Sequence, residues 1–395
     1  MESIKDKVAI IGMGCTPFGE LWDKSAEDLI IAAAGEAFAD AGVEPKDIQA
    51  AWAGTMFDYT GLTIAKPLKL QYIPVTRVEN ACGTGIEAIR AAAFAVAAKV
   101  YDLVLVVTYE KMKDLGYAGL PDGAERLPRR HPVFDVGYTA AGSYALAATR
   151  YFQRYGLSSA EGKRLLAQIS VKNHYNGKRN PRAHLRREVT LDEVVSAPMI
   201  AWPLGLYDCC GVTDGAAAAI LCRAEDARKF RKDYITIKGL GVSVGPGQGY
   251  VRTDYDYTHW DETEHAARQA YDMAGIKDPR RELDVAEVHD CFSIAELIAC
   301  ESLGFCAKGH AREDIEAGTF TQQGELPVNI SGGLKSFGHP VGASGCRETY
   351  EIYKQIQGKA EEPSRQLKDV RLGLVHNQGG LPGKFMCSVM IIGTP

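Results

Sequence analysis

The second half of this chain repeats the order of elements of its first half, and this repeat constrains the fold most. VAIIGMG (8–14) and ITIKGLGVSVG (235–245) both read as short buried strands followed by glycines. SAEDLIIAAAGEAFADAG (25–42) has the N-cap serine, early acid and closing glycine of a helix, and ETEHAARQAYDMAGI (262–276) resembles it. Two later pairs keep the same order, AAWAGTMF (50–57) with AEVHDCFS (286–293) and DLVLVVTYE (102–110) with RLGLVHNQGG (371–380).

A repeat of this length predicts two similar domains that pack against each other. The alternation of strands and helices predicts an α/β layered fold. We place the first half at 1–230 and the second half at 231–395. The first half includes a stretch of different composition, at about 111–230, which we predict to be a loop insertion.

One segment of this insertion is strongly basic. KNHYNGKRNPRAHLRR (172–187) carries six Lys and Arg residues and no acid. Such a segment is either a solvated loop or a binding surface for an anionic ligand such as a nucleotide phosphate. Its charge alone does not decide between these two interpretations.

Charge and hydropathy exclude several classes of function. The net charge of −5 gives no general attraction to nucleic acid or to an anionic membrane. No apolar run approaches the ~20 residues of a membrane span, and the N-terminus leads directly into a strand without a signal peptide. We therefore expect a cytoplasmic protein. In that reducing compartment the ten cysteines are expected to be mostly small buried hydrophobes, including the Cys209–Cys210 pair, with one or two reactive thiols.

Cys82 is the candidate nucleophile. RVENACGTGIEAIRAAAFAVAAK (77–99) places it between a strand end and an alanine-rich helix, and Gly83 and Gly85 permit a sharp turn there. A thiol at a helix N-terminus lies at the positive end of the helix dipole, which favours the thiolate. A single cysteine is more often a buried structural residue, so the assignment of Cys82 as the nucleophile needs support from other motifs.

Two histidine motifs supply that support. SFGHPVGASG (336–345) places His339 in a loop rich in glycine and proline. VHDCFSIAEL (288–297) places His289 and Cys291 two residues apart, where an extended segment points both side chains to one side. Each histidine alone could equally be a buried core residue whose ring nitrogens are hydrogen-bonded. Together the motifs supply a nucleophile, a base and a second thiol without a metal.

The order of four motifs resembles that of a thiolase. NACGTGIEA, DCCGVTDGAAAAI (208–220), HDCFS and GHPVGASG follow one another as in thiolases of the sterol-carrier-protein type, which HDCF marks, and the resemblance covers essentially the whole chain. It implies a thiolase fold with two similar mixed-sheet α/β halves in a five-layer α-β-α-β-α arrangement and an inserted loop domain. It also implies an acyltransferase that cleaves a 3-oxoacyl-CoA with coenzyme A, or catalyses the reverse Claisen condensation. Coenzyme A is then a substrate, and no bound cofactor or metal is expected.

The resemblance also implies roles for single residues. Cys82 attacks the carbonyl and carries the acyl group, and His339 activates Cys82 and helps to hold the carbonyl oxygen. His289 lies where many thiolases have an Asn that holds a water in the oxyanion hole.

One motif of the family is missing. Many thiolases have a Cys-x-Gly motif whose cysteine moves the proton at the substrate α-carbon, whereas the matching strand end here reads VHNQGGLPG (375–383). His376 lies near the position of that cysteine. In the sterol-carrier-protein type, the cysteine of HDCF takes over the role, so Cys291 is the expected acid and base. Gly380 is our choice for the glycine whose backbone N–H helps to hold a second oxyanion.

Two other hypotheses stay open. One is a decarboxylating synthase or a retro-aldolase on the same fold. Retro-aldolases of this branch tend to lack the nucleophilic cysteine, so Cys82 argues against them, and Cys291 argues against a synthase. The other is a non-catalytic acyl-CoA-binding subunit, which would have no need of a complete set of catalytic side chains.

The resemblance finally implies partners. Thiolase-fold chains are at least dimeric, and open sheet edges and an apolar helical surface at Ala91–Ala98 would need cover, so we expect a homodimer. The sequence looks most like the large subunits of two-component benzoylsuccinyl-CoA thiolases. These work beside a small subunit with a zinc ribbon and an OB-fold. The sequence has no zinc ribbon of its own, so such a partner would be a separate chain near the coenzyme A entrance.

Overall fold

Strands and helices alternate along the chain, as the repeat predicts. The structure, a computed structural model, describes residues 3–58, 60–116 and 139–395. Its strands are β1 (Val8–Cys15), β2 (Ala50–Gly54), β3 (Val75–Val78), β4 (Leu103–Lys111), β5 (Met199–Ala201), β6 (Leu204–Gly205), β7 (Asp214–Arg223), β8 (Ile235–Val244), β9 (Val285–Val288), β10 (Leu372–Leu381) and β11 (Lys384–Gly393). Its α-helices are α1 (Ala26–Ala41), α2 (Leu62–Leu68), α3 (Thr84–Ala97), α4 (Ala140–Arg154), α5 (Ser159–Lys178), α6 (Leu191–Ser196), α7 (Gln248–Val251), α8 (Asp261–Ala274), α9 (Pro279–Glu282), α10 (Ser293–Ser302), α11 (Ala311–Ala317), α12 (Gly333–Ser336) and α13 (Ser344–Ile356).

In the described residues, the main sheet has nine strands and a nearly symmetric order about the seam between β1 and β8. Its strand order is β3-β2-β4-β7-β1-β8-β11-β10-β9. β2 runs parallel to β4, and β10 parallel to β9, while β7 and β11 run antiparallel to both of their neighbours. β1 and β8 pair only at Ala9–Thr236 and Ile10–Ile235, so two half-sheets meet along a short seam. The second half of the chain thus repeats, in the same order, the four strands β1, β7, β4 and β2 of the first half, which confirms the internal repeat, and β3 has no counterpart among the strands that the structure describes.

Three apolar clusters separate the layers of the molecule. One lies between α1 and the outer face of the first half-sheet, and it includes Ile11 and Ala33. The second fills the centre, where α3 and α13 pack against each other and against the sheet. The third lies on the outer face of the second half-sheet, under α8, α10 and the inserted helices α4 and α5. The layers therefore follow the predicted order α-β-α-β-α.

Paired glycines let a helix lie directly on a strand in each half. A Cβ atom on Gly14 of β1 would lie 2.1 Å from the carbonyl oxygen of Ala33 in α1. A Cβ atom on Gly241 of β8 would lie 1.8 Å from the carbonyl oxygen of Ala266 in α8. The glycines of the two repeats therefore lie inside the strands, where a helix crosses them, instead of ending the strands as the sequence suggested.

The predicted insertion contains helices α4, α5 and α6 and the hairpin β5–β6. It also contains β7, which lies in the sheet between β4 and β1. Part of the insertion, 117–138, falls outside the described residues. The division of the chain at 230/231 stays a prediction. Within the described ranges, no helix is both long enough and apolar enough to cross a bilayer.

The basic segment 172–187 forms the end of α5 and the loop after it. Most of its cations have partners within the chain, through the contacts Lys172–Glu296, Lys178–Glu188, Arg179–Gln322, Arg182–Glu36, Arg182–Glu361 and Arg187–Glu193. Charges that are already neutralised attract a phosphate weakly. The segment therefore favours a structural role over a phosphate-binding surface.

Candidate active site

Cys82 lies in a strained turn between β3 and α3. Ala81, just before it, has φ +47°, a left-handed conformation that L-residues with a side chain rarely adopt. The hydroxyl of Thr84 holds this turn, because it accepts a hydrogen bond from the backbone N–H of Asn80 at 2.8 Å and donates one to the carbonyl of Ala81 at 2.6 Å. Only 8% of Cys82 is exposed. The sequence thus places a buried thiol at the beginning of a central helix.

His339 lies in the loop before α13, in the other half of the chain. Its Nδ1 atom is 2.7 Å from the hydroxyl oxygen of Ser344, which in turn lies 3.1 Å from the carbonyl of Pro340. A carbonyl only accepts, so the single hydroxyl proton of Ser344 goes to Pro340 and Ser344 accepts the Nδ1–H of His339. This tautomer leaves a lone pair on Nε2, as a general base requires.

His289 follows β9 and is fixed in the same way. The amide nitrogen of Asn377 donates to Glu348, so the amide oxygen of Asn377 faces Nδ1 of His289 at 3.4 Å. That oxygen can only accept, so Nδ1 carries the hydrogen. The Nε2 atom of His289 therefore also presents a lone pair.

The three side chains converge from three separate segments. The Sγ atom of Cys82 and one ring nitrogen each of His289 and His339 all lie within 4.8 Å of one another. The two imidazole rings are 5.2 Å apart between centroids, at 81°. Both Nε2 atoms are buried, and neither has a hydrogen-bond partner in the part of the chain that the structure describes. A nucleophile, a base and a second polar nitrogen therefore face a common space.

Among the residues that the structure describes, these three side chains also form a group that could hold a metal ion. One thiol and two imidazoles are ligands that Zn²⁺ accepts. The same three groups also make a complete set for acyl transfer to sulfur, for which no metal is needed.

Burial keeps the cluster uncharged at rest. It raises the pKa of the Cys82 thiol, and the neighbouring Cys210 raises it further. Burial lowers the pKa of His339 well below its usual range and that of His289 to about 3. The loss of solvent therefore outweighs the helix N-terminus, which by itself would favour a thiolate at Cys82.

Cys291 lies three residues after the end of β9, with a third thiol beside it. The backbone N–H of Cys210 donates to the carbonyl of Cys291 at 2.9 Å, and Cys209 pairs with Phe292 as an antiparallel bridge. Burial raises the pKa of Cys291, and nearby Cys210 and Cys82 raise it further. Three thiols therefore interact in the site. The sequence pointed to the segment of Cys210 only through its place in the motif order, and we expected that residue to be packing.

His376 does not offer a free nitrogen to this space. Its Nδ1 accepts the backbone N–H of His289 at 3.4 Å, and its Nε2 lies 3.3 Å from the hydroxyl of Thr263. Burial, together with His289, lowers its pKa to about 3. His376 therefore links the end of β9 to α8. It is near the missing cysteine's position in the sequence, but neither of its ring nitrogens is free to replace that thiol.

The glycine that meets the nucleophile turn is Gly379. A Cβ atom on Gly379 would lie 3.1 Å from the backbone nitrogen of Cys82 and 2.5 Å from the carbonyl oxygen of Asn80. Gly380, chosen from the sequence, is one residue further along β10, has φ +102°, and faces the carbonyl of Lys384. The register of β10 therefore brings Gly379, and not Gly380, against Cys82.

Apolar side chains enclose the thiol of Cys82. These side chains are Met56, Phe57, Met112, Val212 and Val341. The buried carboxyl of Glu110 holds two parts of this wall together, because it accepts the backbone N–H of Met56 and, at 3.2 Å, that of Gly342. Burial raises the pKa of Glu110 to about 7. No motif in the sequence had indicated this residue.

Comparison with known proteins matches both halves of the chain to one family. The thiolase N-terminal domain family matches residues 8–225, and the thiolase C-terminal domain-like family matches residues 248–392. The acetyl-CoA acetyltransferase of Methanothermobacter thermautotrophicus is 39% identical over 383 residues, which cover 95% of this chain and 97% of that protein. The benzoylsuccinyl-CoA thiolase subunit BbsB of Thauera aromatica is 33% identical over 384 residues, which cover 95% and 96%. Among solved structures, the Ltp2-ChsH2(DUF35) aldolase is similar with a TM-score of 0.86 and 26% identity, over 100% of this chain and 99% of that one.

Proposed function

The chain belongs to the thiolase family, and we propose that it moves an acyl group between coenzyme A thioesters through a thioester formed on Cys82. It is an acyltransferase with coenzyme A as a substrate, as are the acetyl-CoA acetyltransferases similar to it. The observation that carries the proposal is the convergence of Cys82, His289 and His339 within 4.8 Å, with two unpartnered imidazole nitrogens.

The first half-reaction cleaves a 3-oxoacyl-CoA. The thiol of Cys82 gives its proton to Nε2 of His339 as the sulfur attacks the 3-keto carbon. The N–H formed on His339 then donates to the oxygen. The Nε2 lone pair of His289 accepts a hydrogen bond from a water molecule, whose other hydrogen donates to the same oxygen. The bond between carbons 2 and 3 breaks, the acyl group stays on Cys82, and carbon 2 takes the proton of Cys291.

The second half-reaction returns the site to its resting state. The thiol of coenzyme A gives its proton to the Cys291 thiolate and attacks the acyl thioester on Cys82. The sulfur of Cys82 leaves and takes back the proton held by His339. All protons are accounted for, and the reverse sequence is a Claisen condensation.

Cys291 has the acid and base role because its position fits the chemistry. It is buried beside Cys82, whereas His376 in the strand with the missing Cys-x-Gly motif has both nitrogens engaged. The HDCF motif around Cys291 supports membership of the sterol-carrier-protein type. The β10 backbone at Gly379 lies against the Cys82 turn, and the N–H group proposed to hold a second oxyanion comes from this part of the strand.

The acyl group is apolar and is proposed to be aromatic in the best substrate. The side chains around Cys82 are apolar, and two of them, Met56 and Met112, adapt readily to different shapes. The similarity to a benzoylsuccinyl-CoA thiolase subunit points to the same class of substrate.

A retro-aldolase is the second candidate, favoured by the similarity to a solved aldolase. A retro-aldol reaction splits a 3-hydroxyacyl-CoA without coenzyme A and needs no acyl-enzyme. The presence of Cys82, with His339 positioned to take its proton, supports the thiolase reaction instead.

One assay separates the two functions. The purified chain is incubated with acetoacetyl-CoA, a longer 3-oxoacyl-CoA or benzoylsuccinyl-CoA, each with and without coenzyme A, and with a 3-hydroxyacyl-CoA alone. The thiolase proposal predicts cleavage that depends on coenzyme A, with the aromatic substrate fastest. Cleavage of the 3-hydroxyacyl-CoA alone, without any thiolysis, would instead establish the aldolase.

The proposed assembly is a homodimer together with a small zinc-ribbon and OB-fold subunit. The alanine-rich part of α3 supplies only part of the exposed surface that the sequence suggested, because Ala92, Ala93 and Val96 are fully buried in the central layer whereas Phe94 is 39% exposed. Of the two strands at the ends of the sheet, β9 forms an isolated bridge from Ala286 to Val328, so β3 is the more open edge. An open edge is a template for pairing with a second chain. The similarity to the subunit BbsB and to a solved aldolase that includes a DUF35 component supports a second, different subunit.

Light scattering tests the homodimer. We expect twice the chain mass of 42.9 kDa at micromolar concentration, and a stable monomer would contradict the dimer. Adding the proposed small zinc-ribbon and OB-fold protein to the assay tests the second subunit. A gain in thiolysis supports it, and full turnover by the isolated chain with no gain removes it from the mechanism.

A further inference from the structure

Two thiols, not one, lie close to Cys82 and are able in principle to carry the substrate α-proton. Cys210 and Cys291 lie opposite each other on antiparallel segments, joined by the Cys210 N–H bond to the Cys291 carbonyl. Residues opposite each other in this way have their side chains on one side of the pair. Closeness to Cys82 therefore does not decide which of the two thiols carries the proton, and a difference in their surroundings has to do so.

Tyr144, in the second turn of the inserted helix α4, packs beside this pair. Its ring packs on Phe292, the residue after Cys291, with centroids 4.6 Å apart at 32°. Trp260 and Phe385 hold the ring from two further sides, at 6.3 Å and 6.2 Å. Tyr144 is 2% exposed, so the direction of its hydroxyl is set by packing.

The hydroxyl of Tyr144 has a defined donor and a nearby acceptor. The side-chain amide of Gln378 donates to its oxygen at 3.0 Å, and Gln378 is itself buried in β10. The hydroxyl proton is then free for another acceptor, and the Cys291 thiol lies near enough for each group to shift the pKa of the other. Gln378 thus fixes the Tyr144 oxygen, and the hydroxyl hydrogen stays available to the neighbouring Cys291 sulfur in a buried site.

We propose that Tyr144 is a positioning residue that makes Cys291 the proton carrier, because its hydroxyl donates a hydrogen bond to the Cys291 sulfur and stabilises the thiolate left after proton transfer. This inference rests on the proposed function, in which Cys291 exchanges the proton at the substrate α-carbon. Gln378 holds the hydroxyl in the orientation that this bond requires.

The physical reason is the cost of a negative charge on sulfur in a dry site. Burial raises the pKa of Cys291 well above its usual value, and the bond from Tyr144 opposes that rise. Burial also raises the pKa of Tyr144 itself, so the phenol keeps its proton and acts only as a donor. Hydrogen bonds to charged groups are stronger than those between neutral groups.

Cys210 is the competing thiol and has a different environment. The ammonium group of Lys335 opposes the effect of burial there, and the pKa of Cys210 is about 12. Lys335 is bound to the carbonyl of Asp208, so its field acts on the whole DCC segment and not on one sulfur. The directed bond from Tyr144 is what distinguishes Cys291, and the two thiols can be separated by substitution.

The test measures deuterium exchange from D₂O into carbon 2 of an acyl-CoA, followed by mass spectrometry from pH 6 to pH 10. Tyr144→Phe is compared with Tyr151→Phe, a matched change on the same helix whose hydroxyl instead contacts Glu301. We expect Tyr144→Phe to slow exchange by about 10- to 100-fold and to move its rise to higher pH. Tyr151→Phe keeps the wild-type pH profile, and acylation of Cys82 stays measurable in both proteins.

Three further variants keep the test decisive. Gln378→Met removes the bond to the hydroxyl at similar volume, and we expect it to slow exchange as Tyr144→Phe does, by a smaller factor. It serves as the test if Tyr144→Phe does not fold. Cys291→Ala abolishes exchange and Cys210→Ala keeps it.

The outcomes separate this inference from the function on which it rests. Normal exchange by Cys291→Ala would contradict the proposed role of Cys291 itself. Loss of exchange in Cys291→Ala, with Tyr144→Phe and Gln378→Met both matching Tyr151→Phe, would overturn the role of Tyr144 alone.

Discussion

Gly85 of α3 and Gly345 of α13 face each other where the two central helices meet. A Cβ atom on Gly85 would lie 2.9 Å from the backbone nitrogen of Gly345, and one on Gly345 would lie 2.8 Å from the backbone nitrogen of Ile86. The two helices occupy equivalent places in the two repeats. Their contact brings Cys82, just before one helix, close to His339, just before the other.

Gly85→Ala therefore tests whether this contact holds Cys82, the proposed nucleophile, and His339, the proposed base, together. The added methyl group has to push α3 and α13 apart, and overpacking of this kind costs about 1–3 kcal/mol of unfolding free energy. We expect that loss in urea unfolding, together with a drop in thiolysis of at least about tenfold, since reacting groups tolerate little displacement. Gly35→Ala is the control, because a Cβ atom there has nothing within 4 Å and α1 should become slightly more stable. Equal behaviour of the two variants would contradict the role of the glycine contact.

The resting state of Cys82 is predicted to be a neutral thiol. Burial raises its pKa and lowers that of His339, so no ion pair forms between them in the free enzyme. The rate of iodoacetamide alkylation at Cys82, followed by peptide mass spectrometry, should be slow at pH 7 and rise steadily to pH 9 and beyond. A plateau that begins below pH 6 would show a thiolate–imidazolium pair instead.

Glu110 predicts a pH dependence of stability. Its pKa in the folded protein is about 7, against 4.5 for an ordinary glutamate, so the folded state binds more protons than the unfolded state between these values. The contribution of Glu110 is therefore full below about pH 4.5 and is lost as the pH rises through about 7. Glu110→Gln does not titrate. The unfolding free energy of the wild type minus that of the variant should fall by about 3 kcal/mol from pH 4.5 to pH 8, and a constant difference would show that Glu110 is not perturbed.

The parts of the site that the sequence could predict share one property. Cys82, His289 and Cys291 each lie between a strand and the helix that follows it, and His339 lies in the loop before α13. All four belong to short motifs that are rich in glycine or flanked by an apolar run. Patterns of this kind involve only neighbouring residues, so they can be recognised in the sequence alone. The repeat likewise predicted the order of the four strands that the two halves share, because each half builds these elements in the same sequence.

The rest depends on contacts between distant segments. Tyr144, Cys210 and Glu110 reach the site through the packing of an inserted helix, an antiparallel bridge and a strand end, none of which has a sequence pattern of its own. The choice between Gly379 and Gly380 depends on strand register, where a shift of one residue changes the face that a residue presents. The burial of the Cys82 thiol also could not be read from its position at a helix N-terminus.

The most direct test of the account is mass spectrometry of the enzyme after rapid acid quench with a 3-oxoacyl-CoA and no coenzyme A. We predict that the peptide containing Cys82 gains the mass of the acyl group, that added coenzyme A removes it, and that Cys82→Ser neither gains the mass nor turns over. Cys222→Ser, a change in β7 away from the cluster, should form the same adduct as the wild type. Continued turnover by Cys82→Ser, or turnover by the wild type with no acyl group on Cys82, would contradict the central claim.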